Sequence, residues 1–119
     1  MERDMKTAKV GFLVLALVSA GAIAGPSRQE IDAWLIQVRA YTGEVRNCTA
    51  AIRSGGTIAL IDNADCRAQR AQIADILNLL QRIGALPDNS LTQQEIGWVS
   101  EVGQATGEFG AAIQASEPR

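Results

Sequence analysis

The stretch that decides the fold runs from Ser27 to Gly56. It opens Ser27-Arg28-Gln29-Glu30, then sets Ile31, Trp34, Leu35, Val38, Tyr41 and Val45 three or four residues apart. Cys48 and Ile52 continue the same line, and Ser54-Gly55-Gly56 closes it. Ser-x-x-Glu is a capping box: the hydroxyl accepts from the backbone three residues on, and the carboxylate reaches back. Apolar residues at that spacing trace one face of a helix. Two consecutive glycines after a serine end it. The spacing predicts one long amphipathic helix whose far end carries a cysteine on the buried side.

Downstream, Thr57 to Ile61 is a short apolar run with no second strand-like run to pair with, so it reads as a packed loop or an irregular helical turn. A second helix starts near Asp62-Asn63-Ala64-Asp65, where polar side chains cap and the acids suit the positive end of the dipole. Its predicted stripe is Cys66, Ile73, Ile76, Leu77, Leu80 and Ile83, with Gly84 supplying a left-handed end and Pro87-Asp88-Asn89-Ser90 a turn. Thr92-Gln93-Gln94-Glu95 is a second capping box, with Leu91 and Ile96 placed as a hydrophobic staple.

The third helix has two apolar faces. Ile96, Val99, Gly103, Thr106, Gly110 and Ile113 form one, and Trp98, Val102, Ala105 and Phe109 the other. Either this is the central helix of the bundle or one side meets a partner. Trp98, Val102 and Phe109 are therefore the candidate partner surface. Gly97, Gly103, Gly107 and Gly110 each cost about 1 kcal/mol relative to alanine. Gly103-x-x-x-Gly107 reads as close helix packing, or as a flexible or partner-docking segment. The fold expected is all-α: a small three-helix bundle, or a helical hairpin plus a third helix, with one disulfide, after an N-terminal signal segment.

Upstream of the first helix, Lys6 and Lys9 precede the apolar run Val10 to Val18, and Ala22-Ile23-Ala24 precedes Gly25-Pro26. Charged, then apolar, then small-x-small is the pattern of a secretory signal peptide. A start at Met5 gives this segment a basic end free of Glu2 and Asp4. The chain divides into a signal peptide, residues 1–24, and a single small helical domain, residues 25–119. The alternative is an uncleaved anchor built on residues 10–25. A membrane span needs about 20 apolar residues, however, and Ser19, Gly21, Gly25 and Pro26 dilute the second half of this one.

Export places Cys48 and Cys66, the two cysteines of the chain, in an oxidising compartment, where a pair reads as a disulfide. The chain-entropy model values a loop of this length at about 3 kcal/mol. That matters, because a domain of this size buries only about 60–65% of its unfolded surface. A structural zinc needs about four ligands, and with two cysteines and no histidine no metal or cofactor is expected.

Both lysines lie in the leader, so residues 25–119 carry eight arginines against eleven carboxylates, a net charge of −3. Scattered arginines on an acidic chain do not make the dense basic surface that nucleic acid requires. Without histidine, Ser-His-Asp and Cys-His chemistry is excluded. Glu101 and Glu108 share a helix face and leave a small carboxylate hydrolase as a remote option, provided that they converge in a cleft. The expectation is a periplasmic or secreted protein, not an enzyme, that binds a protein or another envelope component. The membrane is a partner only if residues 10–25 are retained. Intact-mass measurement on the protein recovered from its native envelope is expected to show loss of residues 1–24. A full-length, membrane-bound product would support the anchor instead.

Overall fold

The computed structural model describes residues 25–117, and the signal segment expected from the sequence, residues 1–24, lies outside them. Among the described residues 83% are helical and none is in a strand, which settles the all-α class. Four helices follow one another: α1 (Arg28–Gly55), α2 (Ala59–Asp62), α3 (Ala64–Gly84) and α4 (Gln93–Ser116). Residues from Ile31 onward form one compact unit.

The capping box at the start of α1 forms. The Glu30 N–H donates to Ser27 Oγ at 3.1 Å, and the Ser27 N–H donates to Glu30 Oε1 at 2.9 Å. The expected stripe is buried from Ile31 and Leu35 through Val38, Tyr41 and Val45 to Cys48 and Ile52, while Trp34 is half-buried against it. Thr42 and Thr49 are buried as well, because their hydroxyls donate to the Val38 and Val45 carbonyls. The helix stops where Gly56 takes a φ of +83°, a conformation that favours glycine.

The run after Gly56 is more regular than a loop. Its backbone makes three-residue hydrogen bonds, such as Leu60 N–H to the Thr57 carbonyl at 3.0 Å, and closes the four-residue helix α2. Asn63 then serves two helices. Its N–H donates to the Ala59 carbonyl of α2, and its side chain accepts from the Asp65 and Cys66 N–H groups that open α3.

Two expectations for α3 are corrected. Its buried face is Cys66, Gln69, Ile76, Leu79 and Ile83, whereas Ile73 and Leu77 are 44% and 56% exposed. Two fixed points turn the helix this way: the bond from Cys66 to Cys48, and the buried hydrogen bond from Gln69 Nε2 to Tyr41 Oη at 3.3 Å. Gly84, moreover, is the last helical residue and not a left-handed cap. The helix ends by tightening, with the Ala85 N–H donating to the Gln81 and Arg82 carbonyls, and the left-handed residue is Asn89 in the following turn.

In α4 the Thr92–Glu95 capping box forms in full. The inward face is corrected: Glu95, Val102, Ala105 and Ala112 are buried, with Trp98 and Phe109 half-buried against the core, while Ile96 is 47% exposed. Trp98, Val102 and Phe109 remove far more apolar area from water than a face containing Gly103, Thr106 and Gly110.

The core has two parts. The larger joins the stripe of α1 from Ile31 to Val45 with Ile76, Leu79 and Ile83 of α3 and Val102 and Ala105 of α4. The smaller surrounds the disulfide with Ile52, Ala59 and Ala112. Leu35→Ala at 2% exposure is expected to lower unfolding free energy by about 2–5 kcal/mol, and Thr92→Ala by about 1 kcal/mol. Urea denaturation of both variants checks the pair.

Candidate partner-binding surface

The three residues proposed from the sequence as a partner surface do not share one environment. Val102 is 4% exposed, inside the larger core, and does not face a partner. Phe109 is half-buried and packs against both parts of the core. Trp98 is half-buried too, but part of it lines an open groove of about 320 Å³ with Asp32, Leu35, Ile36, Arg39 and Glu95.

Helix periodicity explains the lining. Asp32, Leu35, Ile36 and Arg39 are spaced i, i+3, i+4 and i+7 along α1 and so form one ridge. Glu95 and Trp98 are three apart in the first turns of α4. Glu95 is held in place because its Oε1 accepts from the Thr92 N–H, so the residue that starts the helix also walls the groove. The Arg39 guanidinium carbon lies 4.0 Å from the centroid of the Trp98 ring. Such a cation–π contact is worth about 0.5–1 kcal/mol at an exposed site. It sets the guanidinium against the face of the indole. Leu35, Ile36 and Trp98 supply apolar surface, and Ile36 is 67% exposed. A guanidinium and two carboxylates surround them. This arrangement suits an apolar anchor flanked by polar groups.

Trp98 was legible in the sequence because it lies off the first apolar face of its helix. Ile36 and Arg39 were not, since they sit beside the strong α1 stripe and read as ordinary surface. Only the approach of α4 makes them a wall.

Comparison with protein-family models, with curated proteins and with solved structures returns no match.

The other sequence candidates are placed as follows. Glu101 and Glu108 are both exposed, and Glu101 Oε1 lies 3.9 Å from Arg46 Nη1 across to α1. Neither carboxylate lines the groove, so they do not form the concave pair that glycoside cleavage needs. Among the described residues no group of three or more His, Cys, Asp or Glu comes together to hold a metal, and no helix is long and apolar enough to cross a membrane. A Cβ added at Gly97, Gly103, Gly107 or Gly110 would meet nothing within 4 Å, so close packing inside the domain is not what these glycines serve. Gly103→Ala and Gly107→Ala are each expected to raise unfolding free energy by about 0.5–1 kcal/mol, read as an upward shift in Tm.

Proposed function

We propose that the chain is the precursor of a small exported helical protein that acts by binding a protein or another envelope component, and not by catalysis. The observation that carries this reading is the groove between α1 and α4. It is built on two rigid helices, and its walls expose Ile36 and half of Trp98 beside a stacked arginine. Exposed apolar side chains next to a half-buried tryptophan and an arginine have the composition of a binding hot spot. Its volume lies at the lower end of the range that holds a small ligand or one anchoring side chain, about 300–1,000 Å³.

Export is supported by the basic, apolar, small-residue order of residues 6–24 and by the presence of a disulfide between Cys48 and Cys66. The proposed occupant of the groove is a protein segment that inserts one apolar side chain beside Ile36 and Trp98 and meets Arg39 with a polar group.

A photo-crosslinking amino acid placed at Ile36 tests the reading in the native envelope. Amine-reactive reagents are unsuitable, because residues 25–119 contain no lysine. The probe at position 36 is expected to give one discrete adduct that the same probe at Gln81, on α3, does not give. It is also expected to weaken severalfold with Arg39→Glu, which reverses the charge on one wall. Equal labelling at both positions, or none at position 36, removes the groove as the binding surface.

A further inference from the structure

Cys48 and Cys66 are each 0% exposed. Thiol–disulfide exchange needs a thiolate to reach one sulfur directly, so the bond is closed to reductant as the protein stands. Three pieces of chain cover it: the end of α1 through Ala51 and Ile52, the end of α4 through Phe109, Ala112 and Ile113, and α2 through Ala59 and Leu60. They are not equally hard to move. Lifting α4 would drag Phe109 out of both parts of the core. α1 carries the main stripe.

α2 is different in each respect. It has four residues, and helices that short do not persist without packing. Only Ala59 is buried, while Ile58 and Ile61 stand 57% and 64% exposed, so closing it removes little apolar surface from water. It follows Gly55-Gly56, where the left-handed Gly56 marks a turn. Besides its own backbone bonds, the Asn63 N–H bond to the Ala59 carbonyl and the packing of Ala59 and Leu60, it is held by two arginines of α3. Arg67 Nη1 donates to the Ile61 and Asp62 carbonyls, both at 2.9 Å, and Arg70 Nη1 donates to the Leu60 carbonyl at 2.8 Å. All three bonds are exposed and compete with water.

We infer that α2 is a strap that gates chemical access to the Cys48–Cys66 disulfide, opening locally while the rest of the bundle stays folded. Exchange then follows the lifted strap. A thiolate of a dithiol reductant attacks one sulfur, and the other leaves as a thiolate and takes up a proton. The reductant's second thiol resolves the mixed disulfide. Two electrons and two protons pass from the dithiol to the protein, and the reductant becomes a cyclic disulfide. The reverse order applies to folding: a disulfide oxidant reaches the two thiols before the arginines clamp the strap, and takes their two electrons and two protons to become a dithiol.

The test is the rate of reduction of the full oxidised chain by excess dithiothreitol without denaturant, followed by thiol trapping and mass. Arg67→Ala with Arg70→Ala is expected to speed reduction about tenfold, the effect of losing these exposed hydrogen bonds. Leu35→Ala, in the other part of the core, is expected to leave the rate within about twofold of wild type although it weakens the whole fold. An unchanged rate in the arginine variant overturns the strap, as does a Leu35→Ala rate that rises in step with its loss of global stability. Should the arginine variant fail to fold, wild type in low urea decides. A rate nearly flat in urea marks local opening, and a slope equal to that of global unfolding overturns it.

Discussion

The covalent link between the end of α1 and the start of α3 is the constraint on which the remaining architecture rests. It brings Cys48, two turns before the end of α1, and Cys66, in the first turn of α3, to 4.7 Å between Cα atoms and closes a separation of 18 residues into a corner. Once Cys66 is tied to Cys48, α3 has one rotation in which Gln69 meets Tyr41 and Ile76, Leu79 and Ile83 meet the α1 stripe. α4 then has two helices to pack against and presents its bulkier face. The cysteines themselves are the centre of the smaller core, with Ile52, Ala59 and Ala112 buried around them and Leu60, Phe109 and Ile113 packed against it.

That corner also concentrates the polar detail of the protein. Asn63 ends one helix and begins the next, and Arg67 and Arg70 hold carbonyls that a four-residue helix leaves unsatisfied. At the opposite end the larger core is built mainly of aliphatic side chains, and the Thr92–Glu95 cap fixes the entry of α4. The groove beside Trp98 depends on that cap, since Glu95 takes part in both. One end of the bundle is thus held by covalent and polar links, and the other by burial.

Much of this was legible in residue order. Both capping boxes, the whole buried line of α1 from Ile31 to Ile52, the glycine stop at Gly56 and the cysteine pairing follow from local chemistry, and each is present. The misreadings share one cause. Ile73 and Leu77 have the right spacing for a core stripe, and so does Ile96, yet each lies off the side from which the neighbouring helices approach. Half of the candidate site was misread for the same reason: Val102 turned inward, and Ile36 and Arg39 became a wall.

By itself, then, the sequence determined where helices begin and end and how the α1 stripe runs, because caps, turns and 3.6-residue periodicity act over a few residues. It also determined the one pairing open to two cysteines. Only the tertiary structure decided which of two apolar faces α3 and α4 would bury. That choice is made by competition for area against neighbours far away in the chain, and spacing within a single helix carries no information about where those neighbours stand.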